Sequence, residues 1–146
     1  PYFGDQDNNL CVLNCTPKLS YNPNRTCVAT CISPYYGNPL TFTCDLVCPF
    51  GYFGENTTRL CGLTCPATSF ADYSLRICVA VCPIHPSLYA DDRTNECLSS
   101  CATPLFAYDV DRTCVSSCPN QTINATTEFR YLADPFVRRC VLECNN

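Results

Sequence analysis

Cys44-Asp45-Leu46-Val47-Cys48-Pro49-Phe50-Gly51-Tyr52-Phe53-Gly54-Glu55-Asn56-Thr57-Thr58-Arg59-Leu60-Cys61 holds the plan of the whole chain. Two cysteines flank three residues. An aromatic follows the second, a turn cluster comes next, and an arginine stands two residues before the following cysteine. The same C-x-x-x-C pair recurs at Cys11/Cys15, Cys27/Cys31, Cys44/Cys48, Cys61/Cys65, Cys78/Cys82, Cys97/Cys101, Cys114/Cys118 and Cys140/Cys144. Steps between the first cysteines are 16, 17, 17, 17, 19, 17 and 26 residues. A short fixed period marks a repeat architecture rather than a single globule.

Outside the cysteines the unit also repeats. Tyr21, Tyr35, Tyr52, Phe70 and Phe106 follow the second cysteine by four to six residues, and Tyr89 comes slightly later. Asn22-Pro23-Asn24, Gly54-Glu55-Asn56 and Ala71-Asp72-Tyr73-Ser74 are turn clusters. Arg25, Arg59, Arg76, Arg112 and Arg138 precede the next cysteine by two, and proline directly follows Cys48, Cys65, Cys82 and Cys118. Aromatic and β-branched residues flanking a turn cluster read as a hairpin. No segment holds a helical apolar period. The expectation is a small disulfide-rich, mostly β chain with little or no helix and no single central core. Residues 1–146 form one continuous linear array of about eight hairpin units of roughly 17 residues each. An insertion at 119–139 folds as a longer loop or an extra strand.

Sixteen cysteines in 146 residues place the chain in an oxidising compartment, extracellular or at a cell surface. Net charge is −4, with one lysine, Lys18, and dispersed arginines, so the clustered positive charge needed for nucleic acid is missing. No apolar run is long enough to span a bilayer. A 17-residue hairpin cannot bury enough apolar surface to stand alone. Stacking on neighbours and one disulfide per unit, worth about 3 kcal/mol for a loop of about 13 residues, compensate. Three pairings use the cysteines: within each C-x-x-x-C, between alternate pairs, or from the second cysteine of one pair to the first of the next. The last is uniform and staples the foot of every hairpin. It gives Cys15–Cys27, Cys31–Cys44, Cys48–Cys61, Cys65–Cys78, Cys82–Cys97, Cys101–Cys114 and Cys118–Cys140, with Cys11 and Cys144 bonding to adjoining segments.

The run from Cys44 through Pro49, Gly51, Tyr52 and Glu55 to Cys61 resembles the furin-like and growth-factor-receptor cysteine-rich repeat. The resemblance implies rods of small β-fingers with one or two disulfides each, of the kind found in surface proteins of ciliates and other protists. The chain departs from the receptor type in using C-x-x-x-C throughout. Reading Cys144-Asn145-Asn146 on into Pro1-Tyr2-Phe3-Gly4-Asp5 reproduces the Cys48-to-Glu55 offsets. That match predicts a segment of a longer tandem chain.

Asn14, Asn24, Asn56, Asn120 and Asn124 head Asn-x-Ser/Thr acceptors, so N-glycans are the expected covalent additions, and the serine and threonine content admits O-glycans. No cofactor is expected. Zinc is the rival use of paired cysteines, but eight pairs with one histidine, His85, favour disulfides. Asp5-Gln6-Asp7-Asn8-Asn9 and Asp109-Val110-Asp111 come nearest to a calcium loop and read as solvated turns. One histidine between prolines offers no triad, so no enzyme is expected. Unit monotony predicts a structural subunit of an extracellular glycosylated filament, coat or appendage. Its partners are copies of itself or adjoining repeats. The alternative is a ligand-binding or adhesive ectodomain, whose candidate binding insertion carries Phe129, Tyr131 and Phe136.

Overall fold

The computed structural model describes residues 2–85, 87–123 and 127–143, with backbone alone at 121–123 and 127–130. Every regular element among them is a strand. Two compact units divide the chain, Pro1–Val79 and Ala80–Asn146.

The first unit holds five hairpins. They are β1 (Phe3–Asp5) with β2 (Leu10–Val12), β3 (Leu19–Tyr21) with β4 (Thr26–Val28), β5 (Tyr36–Asn38) with β6 (Thr43–Asp45), β7 (Phe53–Gly54) with β8 (Cys61–Gly62), and β9 (Phe70–Asp72) with β10 (Ile77–Val79). The second holds β11 (Tyr89–Asp91) with β12 (Glu96–Leu98), β13 (Phe106–Tyr108) with β14 (Thr113–Val115), and β17 (Leu132–Asp134) with β18 (Arg139–Val141). Within the 119–139 insertion, β15 (Asn120–Ile123) and β16 (Thr127–Arg130) form a further antiparallel pair. The insertion therefore holds an antiparallel strand pair rather than a loop or one added strand.

Seven of the repeat hairpins close through a four-residue loop whose last residue is left-handed, and in the longer β7–β8 loop, 55–60, the left-handed residue is Arg59. Asn9, Arg25, Phe42, Arg59, Arg76, Asn95, Arg112 and Arg138 all have φ between 52° and 58°. A turn followed by a left-handed residue is how a four-residue loop rejoins twisted strands. Carboxylates and amides at the end of the first strand hold the turn. Asp72 Oδ1 accepts from Ser74 N, Asp91 Oδ1 from Arg93 N, Asp134 Oδ1 from Phe136 N, and Asn38 Oδ1 from Leu40 N, at 2.8 to 2.9 Å. These four side chains are buried because they replace the missing backbone partners of the loop.

Neighbouring hairpins join in parallel. The first strand of one pairs with the second strand of the next: Gly4 with Thr26, Ser20 with Thr43, Gly37 with Leu60 and Gly54 with Ile77 in the first unit. In the second unit Ala90 pairs with Thr113 and Ala107 with Arg139.

Seven disulfides staple the hairpins: Cys15–Cys27, Cys31–Cys44, Cys48–Cys61, Cys65–Cys78, Cys82–Cys97, Cys101–Cys114 and Cys118–Cys140. The apolar interior is split into small clusters, each made from two hairpins. Leu19 packs with Cys31 and Cys44, Tyr36 with Cys48 and Cys61, Phe53 with Cys65, Ala71 and Cys78, and Tyr89 with Cys101, Leu105 and Ala107. The large residue of one hairpin thus lies on the disulfide of the next, and sulfur supplies the floor that a larger core would otherwise provide. Among the described residues no single central core gathers these clusters.

Candidate functional site

The seam between hairpins is where the repeated residues converge. Its first component is a small residue seven positions before each first cysteine: Gly4, Ser20, Gly37, Gly54, Ala71, Ala90, Ala107 and Ala133. A β-carbon on Gly54 would lie 2.7 Å from the Tyr36 ring, and one on Gly37 would lie 2.7 Å from Leu19 and 2.8 Å from Leu60. The position is small because the preceding hairpin's large side chain lies directly over it.

The second component is backbone. The small residue's N–H donates to the carbonyl of the left-handed residue of the next hairpin. The pairs are Gly4 to Arg25, Ser20 to Phe42, Gly37 to Arg59, Gly54 to Arg76, Ala90 to Arg112 and Ala107 to Arg138, at 2.7 to 2.9 Å. A left-handed φ turns that carbonyl out of its own hairpin and toward the neighbour.

The third component is the arginine two residues before the cysteine. It reaches back across the seam. Arg76 Nη1 donates to the Cys48 carbonyl at 2.9 Å, Arg112 Nη2 to the Leu88 carbonyl at 2.6 Å, and Arg138 Nη2 to the Leu105 carbonyl. The guanidinium also covers an aromatic of the preceding hairpin. Arg59 lies 5.6 Å from the Tyr36 ring centroid, Arg112 5.2 Å from that of Tyr89, and Arg138 4.9 Å from that of Phe106. Each such contact adds about 0.5–2 kcal/mol, most where the cation is desolvated. The arginine recurrence is plain in the sequence, but its backbone role is not. The small-residue column is equally present in the sequence and would have marked the seam.

Lys18 forms a different latch between the first two hairpins, with Nζ 2.5 Å from Asp5 Oδ1 and 2.7 Å from Asp7 Oδ2. The bond to Lys18 holds the Asp5 carboxyl below its usual range, and its two carboxylate partners raise the Lys18 pKa. The first calcium-like acidic run is thus organised around an ammonium group. In the second run, Asp109 accepts from Tyr89 Oη at 2.5 Å and lies 3.7 Å from Arg139. Burial foremost, then this bond, push the Tyr89 phenol up. Among the described residues no cluster of three or more His, Cys, Asp or Glu could hold a metal ion, and His85 is exposed. No helix among them is long and apolar enough to cross a membrane.

Asn14, Asn24, Asn56 and Asn120 are exposed. Thr16 and Thr26 hydroxyls donate to the Oδ1 of Asn14 and Asn24, and Tyr36 Oη donates to Asn56 Oδ1 at 2.7 Å. Asn124 and Cys144 lie outside the described residues. Cys11 is exposed, with its thiol free in the structure. Of the aromatics of the candidate binding insertion, Tyr131 and Phe136 lie apart. Tyr131 packs edge-on against Tyr108 at 5.1 Å, Phe136 projects from the β17–β18 loop at 94% exposure, and the Phe129 side chain lies outside the described residues.

No family model, no curated protein and no solved structure matches this chain.

Proposed function

We propose that the chain is a structural subunit of an extracellular glycosylated filament, surface coat or appendage, built on the furin-like plan of disulfide-stapled fingers. The observation that carries this reading is the sameness of the seam. Six seams use one hydrogen-bond pattern between a small residue and a left-handed carbonyl, so successive hairpins repeat one relation rather than shaping a unique pocket. Nearest-neighbour stacking of this kind propagates as an element of extended structure. Seven disulfides suit an oxidising compartment, and exposed acceptors at Asn14, Asn24, Asn56 and Asn120 suit a glycoprotein whose sugars cover strand edges. The role is mechanical rather than catalytic, with copies of the chain or adjoining repeats as partners.

Negative-stain imaging of native material tests it. Filaments of regular diameter, carrying peptides with glycan at the acceptors, are the expected result. Dispersed particles that bind a soluble ligand would overturn it. That outcome belongs to the second reading, an adhesive ectodomain, which draws on Phe136 and Val137, both exposed at one loop tip.

A further inference from the structure

The seam leaves complementary halves of itself on two edges. On β17, Leu132 occupies the position of the large seam residue. Phe3, Leu19, Tyr36, Phe53 and Tyr89 at that position are 8, 7, 7, 5 and 2% exposed and Phe106 is half-buried, whereas Leu132 is 40% exposed. Ala133 holds the small position and is exposed, whereas Ser20, Gly37, Gly54, Ala90 and Ala107 are buried. Paired with Cys140 as Ala107 is with Cys114, Ala133 turns its N–H away from β18, as Ala107 turns its own toward Arg138.

The β2 edge offers the other half. Asn9 is left-handed at φ 52°, which turns its carbonyl outward as at Arg25 or Arg112. Leu10 stands in the place of Leu60, which pairs with Gly37, and is 60% exposed against 46% for Leu60. Gly37 and Gly54 lie beneath side chains, but Gly4 has only the Arg25 carbonyl within 4 Å, at 3.9 Å. A shallow hollow of about 230 Å³ opens there, lined by Gly4, Asp5, Gln6, Asn9, Leu10 and Cys11.

We propose that these edges dock head to tail between two copies of the chain. Leu132 of one copy sits over Gly4 of the next, and β17 pairs in parallel with β2. The Ala133 N–H donates to the Asn9 carbonyl, with Ala133 opposite Leu10. The occupant is a second copy because the junction continues the large-over-small packing and the N–H to left-handed carbonyl bond of the seam that already joins the hairpins inside each unit. Two different patches meet, so the contact is heterologous and can extend into an open polymer. The inference rests on the filament reading above and names the contact that would propagate it.

The test traps neighbours of the full chain in a glutathione redox buffer. Oxidised glutathione takes the two electrons as two thiols join and two protons leave. Cys144 stands three residues past the end of β18, as Cys15 stands three past β2, and Cys11 is the middle residue of β2, as Cys27 is of β4. The expected result is a non-reducing ladder of multiples whose crosslinked peptide is Cys11–Cys144. Leu132→Asp spoils one face and Gly4→Leu fills the other, and each alone lowers the ladder at least about tenfold, the loss set by one buried leucine. Mixed, the two variants give a single dimer band, since one intact face remains on each partner. Peptide mapping of the seven internal disulfides verifies that both variants fold. A wild-type chain without a ladder, links dominated by Cys11–Cys11, a ladder indifferent to both variants, or a mixture no better than either variant alone would each overturn the junction. Native filaments with an indifferent ladder would sink this junction and spare the filament reading. The specific ladder without native filaments would do the reverse.

Discussion

Replacing Arg112 separates what its backbone does from what its side chain does. The residue has φ 56°, and its carbonyl accepts the Ala90 N–H at 2.8 Å. Its Nη2 donates to the Leu88 carbonyl at 2.6 Å, and its guanidinium covers Tyr89 at 5.2 Å. A charge-assisted bond contributes about 1.5–3 kcal/mol and the cation–π contact about 0.5–2 kcal/mol. Against this, Nε is buried without a partner, which costs about 1–2 kcal/mol. Arg112→Ala should therefore weaken the seam by about 2 kcal/mol. Arg112→Gly loses the same side chain but relieves about 1 kcal/mol of left-handed strain, leaving a net loss of about 1 kcal/mol. An array of hairpins need not unfold in two states, so the assay must be local. Hydrogen exchange of the Ala90 amide reads the seam directly. Protection should fall roughly thirtyfold in Arg112→Ala and about fivefold in Arg112→Gly. Equal losses in both variants would refute the left-handed argument, and an unchanged Ala90 amide would refute the latch itself.

Gly54→Val should cost at least about 2 kcal/mol, because the added atoms meet a Tyr36 ring held by Asn56 and Arg59, and near-ultraviolet dichroism would report the displaced ring. Alkaline titration followed at the phenolate band should show Tyr89 and Tyr108 ionising late, both raised chiefly by burial. A raised phenol stabilises the fold below its unfolded pKa of about 10, and that contribution is lost as pH rises through the folded value. Asp91 behaves in the opposite sense. Its bond with Arg93 lowers its pKa, so its contribution is full above about pH 4 and lost as pH falls through the depressed value. Exchange at the Arg93 and Asn95 amides should therefore accelerate only in strong acid.

The cysteine period, the aromatic and the turn cluster were enough to read short stapled hairpins, because all three act within one 17-residue window. The relation between windows was harder to see. Parallel pairing of Gly4 with Thr26 or Ala90 with Thr113 is non-local, and no periodicity within a strand announces it. Arginine at the left-handed position misleads, since its length and charge suggest a surface role rather than an unusual φ. Asn9 and Asn95 at the same place were the better clue, asparagine being tolerant of that conformation. Asp72 reads as a turn residue, yet its burial, shared by Asp91 and Asp134, follows only once the loop amides need acceptors. In the insertion, hydrophobic character alone drew attention to Phe129, Tyr131 and Phe136. The backbone instead spends Asn120–Ile123 and Thr127–Arg130 on an antiparallel pair, so Tyr131 serves Tyr108 and Phe136 belongs to another loop.

Between the small seam residue and its cysteine the count is seven in every repeat, whereas the stretch before the first strand varies, from a lengthened 83–88 segment to the whole β15–β16 excursion. Length variation is thus confined to one side of each finger. An epitope or enzyme tag spliced after Cys48 or Cys101 should ride on the array without breaking its spacing. Grafts on adjacent hairpins of one unit, as after Cys31 and Cys48, would then stand about 10 Å apart, two strand widths, which rules that unit for display at near-molecular density.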